Sequence, residues 1–322
     1  MTATPLVSVV VPCLNRIRFI VPTIESVLQQ DYPRIECTVV DGGSTDGTLE
    51  ILRQYDGRLR WLSEPDGGPP NAINKGWRMC SGEILAWLNA DDLWALGAVR
   101  KVVDYFNEHP EADVVYGDCN IIDQKGEYIK TISVRDWNLR YAAEHCDHIL
   151  FQPAAFMRRS ILERVGWLYP QLCHDHDLWL RIGLLGGTFQ HIPAILASAR
   201  KHPENLGFRS ELVIPLKLDL TKRFFSQPNL PESFSEIRAR ALSNAYLRGI
   251  DFVFFDSLPV FQKASMSLNL IRKAFRADSS NIIQVARSLL RLAVQIPLVV
   301  LLPYFPNWMV QMVRQMKRRI AV

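Results

Sequence analysis

The sequence predicts an α/β protein: a Rossmann-like domain built on a mainly parallel sheet, followed by a helical C-terminal extension. Three observations carry this. Short β-branched runs alternate with amphipathic segments from residue 7 to about residue 116, the pattern of strands joined by crossover helices. Runs such as Val7 to Val11 are apolar throughout, as in strands covered on both faces. Beyond residue 210 strand signals cease and helical spacing takes over. With 48% hydrophobic and 22% charged residues, the chain has the composition of a soluble globular protein rather than a disordered one.

The elements follow in order. Val7 to Val11 reads as the first strand, ended by Pro12, and Phe19 to Gln30 as a helix with Pro22 in its first turn. Glu36 to Val40 is a second strand, Leu49 to Tyr55 a helix, and Leu59 to Leu62 a short third strand. Asn71 to Met79 is helical, and Glu83 to Leu88 is a fourth strand that runs into two adjacent carboxylates, Asp91 and Asp92. A helix at Ala95 to Asn107 and a strand at Asp113 to Tyr116 complete the alternation. Residues 118 to 200 are less regular, with a helix at Asp175 to Leu185. Ala239 to Phe255 and Val260 to Phe275 are spaced as a helical hairpin. The expected domains are residues 1–210, divided near 117, then a helical extension at 211–290 and an apolar and basic tail at 291–322.

The net charge of +4 is mild and gives no reason to expect a nucleic-acid partner. The six cysteines are scattered, with no CxxC pair, which fits a reducing compartment better than a disulfide framework or zinc ribbon. No basic segment precedes the first apolar run, so no signal peptide is expected. The tail stretch LAVQIPLVVLLPYF is 14 residues long and interrupted by prolines, short of the ~20 residues that span a bilayer. Basic residues flank it on both sides, so it reads either as core or as an interfacial membrane contact.

Ligands of parallel sheets bind at the carboxyl ends of the strands. Pro12, Asp41, Glu64 and Asp91 all fall at such ends. In DGGSTDGT, Asp41 is suited to accept a hydrogen bond from a base or ribose, while the glycines allow close backbone approach; an ordinary turn explains the same residues. In SEPDGGPPNAINKGW, Asp66, Asn71 and Lys75 can line a polar site, with Lys75 as a point charge near phosphate. Neither GxGxxG nor a GxxxxGK[ST] phosphate loop occurs. The Asp91–Asp92 pair is more specific: like charges side by side are unfavourable unless a cation offsets them, and Mg or Mn takes carboxylate oxygens while leaving places for phosphate. In CHDHDLWLRI, Asp175 and Asp177 suit a helix N-terminus, and either is a candidate general base. Zinc on Cys173, His174 and His176 is disfavoured, because histidines at i and i+2 diverge on a helix.

Taken in order, VPCLNR, DGGSTDGT, SEPDGGPPNAINKGW, LNADDLW, HDHDLWLRI and RKHPEN resemble the family 2 glycosyltransferases of the glycosyltransferase-A fold, over residues 6 to 205. The resemblance implies an inverting transferase that uses a nucleoside-diphosphate sugar, most often of UDP, and a divalent Mg or Mn ion. It places Pro12 and Asn15 near the nucleotide and casts Asp41 as the base-recognising carboxylate, with Asp66 and Lys75 in the same donor site. Asp92 becomes the leading metal ligand, Asp91 a ligand of metal or ribose, His202 a completing metal ligand and Asp175 the catalytic base. Residues 1–117 become the nucleotide-sugar half and 118–210 the half that meets a saccharide or lipid-linked saccharide acceptor, with Trp137, Gln152, Arg158, Arg159 and Trp179 as candidates. The chain departs from many relatives in having His174 before Asp175 and Asn89 where some carry Asp. The expected setting is the cytoplasm, peripherally at the inner face of the cell membrane, in bacterial surface polysaccharide or glycolipid assembly. A sugar nucleotidyltransferase is disfavoured because the loop after the first strand, CLNRIRF, has no glycine. A non-catalytic scaffold of the same fold is the remaining alternative.

Overall fold

The computed structural model describes residues 4–145, 149–170, 174–205, 209–255 and 258–295. It divides into two compact units, residues 1–142 with 148–202, and residues 143–147 with 203–322. The expected boundary at residue 210 falls on the first residue of a helix, and residue 117 falls inside a strand.

The first unit runs β1 (Val7–Cys13), α1 (Ile20–Leu28), β2 (Ile35–Asp41), α2 (Thr48–Arg53), β3 (Arg60–Ser63), α3 (Pro69–Met79), β4 (Ile84–Trp87), β5 (Leu93–Trp94) and α4 (Ala98–Glu108). It continues with β6 (Val114–Ile122), β7 (Tyr128–Ile132), α5 (Leu139–His145, which crosses into the second unit), β8 (Ala155–Arg158), α6 (Arg159–Val165), α7 (His174–Leu184) and β9 (Phe189–Arg200). One sheet holds all nine strands in the order β3-β2-β1-β4-β8-β6-β9-β5, with β7 paired to β6.

Strands β3, β2, β1 and β4 are mutually parallel, as the alternation of strand and helix segments predicts. Every residue of β1 is buried, and so is every residue of β4. The register sets Cys13 opposite Asp41, and Asp41 opposite Ser63, so these strand ends share one edge. The other half of the sheet is mixed: β8 is antiparallel to both β4 and β6, β9 is parallel to β6, and β5 is antiparallel to β9.

Two buried layers cover the sheet. One contains Ile20, Ile24, Val102 and Phe106 with Val9, Val11 and Leu88; the other contains Ile73, Trp77, Trp87, Trp179 and Ile182 with Val10 and Leu85. Among the described residues Cys13, Cys37, Cys80 and Cys119 are free and buried, and burial pushes all four thiols up, which makes them inert packing residues.

The second unit is helical: α8 (Ser210–Phe224), a 3₁₀ turn at Glu232–Ile237, α9 (Arg238–Phe255), α10 (Val260–Ala277) and α11 (Ile282–Gln295). Its core joins Ile214, Leu247, Val253, Leu268, Ile271 and Leu289. The hairpin expected from residues 239–275 corresponds to α9 and α10. No helix among the described residues is long and apolar enough to cross a membrane. The tail beyond residue 295 lies outside the described residues.

Gly76 allows α3 to approach the sheet closely. A Cβ there would lie 2.5 Å from Val10 Cγ1 and 2.7 Å from Val10 Cγ2. Overpacking of this kind costs about 1–3 kcal/mol. Gly76→Ala is therefore expected to lower the urea midpoint of unfolding with the slope m unchanged, as measured by fluorescence.

Candidate active site

The loops that leave β1 and β2 are tied together before any ligand is considered. Asn15 takes a left-handed backbone, φ 53°, which Asn tolerates better than most residues. Its N–H donates to Ser44 Oγ at 2.7 Å, and its Oδ1 accepts from the Thr45 N–H at 2.9 Å. Asp41 closes the same loop from below. Its Oδ2 accepts from the N–H groups of Gly43 (3.0 Å) and Ser44 (2.8 Å) and from Ser63 Oγ (2.6 Å), while Oδ1 accepts from Ser44 Oγ. Asp41 has no exposed surface, so the carboxylate cast as base-recognising is committed to organising its own loop.

Asp66 lies over this loop. Its Oδ1 accepts from the Gly68 N–H at 2.7 Å, and its Oδ2 comes within 3.1 Å of where a Cβ on Gly42 would stand. The missing side chain at Gly42 is what leaves room for the Asp66 carboxylate beside Asp41. Lys75 forms an ion pair with Glu64, the residue after β3. Pro12 is buried within β1 opposite Val40.

Asp91 and Asp92 are both buried, at 7% and 4% exposure, and diverge in their partners. Asp92 Oδ1 accepts from the Arg200 N–H at 2.9 Å, and Oδ2 accepts from Asn89 Nδ2 at 3.0 Å. Burial first, and the neighbouring Asp91 second, push its carboxyl well above the usual carboxylate range. Asp91 Oδ2 lies 2.8 Å from His202 Nε2 and 3.7 Å from Arg16 Nε. The antiparallel register Leu93 to Ser198 of β5 and β9 carries His202 across to the strand end. Phe19 packs against the His202 ring at a tilt of 34° with centroids 4.7 Å apart, and the Arg200 guanidinium lies 5.2 Å from the Phe19 centroid.

The second acidic segment begins α7. Asp177 pairs with Arg181 at 2.7 Å, and Arg181 also donates to the carbonyls of Val165 (2.9 Å), Gly166 (3.1 Å) and Trp167 (3.0 Å). Asp177 is thereby part of a clamp between α6 and α7. Asp175 is half-buried in the first turn, its Oδ1 accepting from the His176 N–H at 2.8 Å. Trp179, one turn further along, stacks on Trp87 with centroids 5.8 Å apart and planes at 17°. Since Trp87 is the last residue of β4, this contact holds the start of α7 beside the strand end that leads to Asp91.

Three of the five acceptor candidates hold the scaffold instead. Gln152 donates to the Trp87 carbonyl at 2.6 Å and accepts from Asn89 at 3.2 Å. Arg158 donates to the carbonyls of Ala112 (2.8 Å) and Phe106 (2.9 Å), and Arg159 to those of Gly82 (2.7 Å) and Cys80 (2.9 Å). Among the described residues no three His, Cys, Asp or Glu side chains converge as a metal cage; Cys173 of the disfavoured zinc reading lies outside them. Sequence reasoning overlooked Arg16 and Arg200, although both sit inside or beside quoted motifs, VPCLNR and RKHPEN.

The profile of glycosyl transferase family 2 matches residues 8–166, which include the β1, β2 and β4 ends just described. Over these residues the chain belongs to glycosyltransferase family 2. A glycosyltransferase of Rickettsia typhi is 30% identical to this family 2 chain over 213 residues, covering 62% of it and 65% of the relative. The chondroitin synthase of Escherichia coli is 30% identical over 233 residues, 68% of this chain and 31% of that one. The family 2 chain thus spans somewhat under two thirds of the first of these relatives and about a third of the second. A mannosyltransferase of Pyrobaculum calidifontis, solved with GDP-Man and Mn2+, shares the fold at TM-score 0.58 and 20% identity, covering 90% of this chain and 88% of that chain.

The proton on Asp92 is bound more tightly in the folded state than in the unfolded chain, whose value is near 3.8. Between that value and the raised one, rising pH therefore lowers stability through this residue. Urea midpoints with chelator present are expected to show wild type losing stability relative to Asp92→Asn as pH rises from 4.

Proposed function

We propose that this protein is an inverting, divalent-metal-dependent glycosyltransferase that moves a sugar from a nucleoside diphosphate to an acceptor hydroxyl. The observation that carries this reading is the 2.8 Å approach of His202 Nε2 to Asp91 Oδ2 at the carboxyl edge of the sheet, with Asp175 held on a separate element. A carboxylate oxygen suits Mg or Mn, and an imidazole nitrogen suits Mn better than Mg, so Asp91 and His202 would hold a divalent ion, with Mn the better fit. This shifts the first metal ligand from Asp92 to Asp91, because both Asp92 oxygens accept hydrogen bonds within the scaffold.

The ion, when bound, offsets the charge of the departing diphosphate without proton transfer. Arg16, on the loop after β1, adds a cation beside Asp91. Asp66, rather than the saturated Asp41, supplies the carboxylate that meets the base or ribose, and Asn15 shapes the loop beside it. Asp175 takes the proton of the acceptor hydroxyl as it attacks the anomeric carbon from the face opposite the leaving group. Asp177 is held by Arg181 and does not compete for this role. The GDP-Man and Mn2+ bound to the Pyrobaculum enzyme support a nucleotide-sugar donor and a metal, and the E. coli chondroitin synthase supports a saccharide acceptor. UDP, the commonest donor nucleotide of the family, is the first to test, with a saccharide or lipid-linked saccharide acceptor in surface polysaccharide assembly at the inner face of the membrane.

Calorimetric titration of UDP, GDP and dTDP with Mn2+ and with chelator is the test. One nucleotide is expected to bind only with metal, and Asp91→Ala and His202→Ala are each expected to abolish that dependence. Binding that ignores metal in wild type would defeat the reading. Asp175→Asn is expected to bind donor normally while kcat falls by about 10²–10⁴.

A further inference from the structure

The last helices of the chain carry an unusual division of charge. Residues 260–322 hold ten of the chain's 37 Lys and Arg but one of its 33 Asp and Glu. Helices α10 and α11 themselves contain six basic residues and no acidic one. The lone acid, Asp278, lies between them and is turned inward: it accepts from Ser280 N–H (2.9 Å) and Ser280 Oγ (2.6 Å) and pairs with Arg240 at 3.4 Å. No negative charge on this stretch is therefore left to offset the cations.

The same stretch exposes large apolar side chains. Phe261 is 66% exposed, Phe275 45%, Ile282 59% and Ile283 66%. Phe275 lies in the last turn of α10, Ile282 and Ile283 in the first turn of α11, so three of the four stand on either side of the short turn that joins the helices. Lys273 and Arg276 are exposed beside Phe275, and Arg287 follows Ile283 one turn along the same face. Solvent alone gives no reason for aromatic and aliphatic side chains to alternate with cations on one corner. A surface that is anionic outside and apolar a few ångströms beneath accommodates both. We infer that the α10–α11 corner is a docking surface for an anionic phospholipid bilayer, into which Phe275, Ile282 and Ile283 insert while Lys273, Arg276 and Arg287 meet the headgroup phosphates. The contact is interfacial rather than spanning, and it holds whether or not the donor chemistry proposed above is correct.

Sedimentation of the full-length protein with vesicles tests this. Binding to phosphatidylcholine vesicles containing phosphatidylglycerol is expected, with little binding to phosphatidylcholine alone and loss of binding at high salt. Lys273→Gln/Arg276→Gln/Arg287→Gln is expected to weaken binding about tenfold or more, and Phe275→Ser/Ile282→Ser to do likewise at unchanged charge. Circular dichroism melts matching wild type show that these surface variants remain folded. Undiminished vesicle binding by either variant would overturn the proposal, as would absence of binding by wild type. Tight binding to heparin that ignores Phe275→Ser/Ile282→Ser would overturn it in favour of a soluble polyanion.

Discussion

The first unit is organised around the need to bury two adjacent carboxylates at the end of β4. Neither Asp91 nor Asp92 can remain there ionised and unpartnered, since burial of a lone charge is prohibitively unfavourable. The chain satisfies them from a strand more than a hundred residues later. The N–H of Arg200 reaches Asp92, its Nε reaches the Asp91 carbonyl at 2.9 Å, and His202 faces the Asp91 carboxylate. The two solutions differ in kind. Burial raises the Asp92 carboxyl and both its oxygens accept hydrogen bonds, whereas Asp91 faces a polarisable imidazole and a nearby guanidinium.

The same logic explains the rest of the edge. Asp41 is wholly buried and fully hydrogen-bonded, which makes the loop after β2 rigid enough to carry a ligand without contributing its own carboxylate. The absence of a side chain at Gly42 then admits Asp66, so a half-buried acidic group comes from the loop after β3. Across the sheet, the stacked pair Trp87–Trp179 fixes α7 against β4, and the Asp177–Arg181 clamp fixes its first turn. Asp175 is thereby positioned by packing and ion pairing that lie on either side of it.

The parallel half of the sheet was legible because short, mostly apolar strands such as β1 and β4 alternate with amphipathic helices, two patterns set by neighbours along the chain. The later strands were harder. β8 has four residues and β5 has two, too short for any period to register, and β9 tolerates polar residues because many of its positions are only half-buried. Gln152, Arg158 and Arg159 look like ligand-binding residues in a list of side chains. Their partners are backbone carbonyls, and those are invisible until the strands are assembled.

The sequence by itself determined which residue types stand at the carboxyl ends of β1 to β4, because a strand's end and its loop are local properties. It also determined the acidic starts of α7 and the basic, acid-free character of the last helices. Only the tertiary structure decided what each carboxylate faces. Asp41 and Asp92 combine partners from their own loops with one from a distant segment, Ser63 Oγ and the Arg200 N–H, whereas Asp91 faces His202 and Arg16. Hydrogen-bond saturation and burial are set by what the fold places within 3 Å, and for Asp92 that partner lies 108 residues away along the chain.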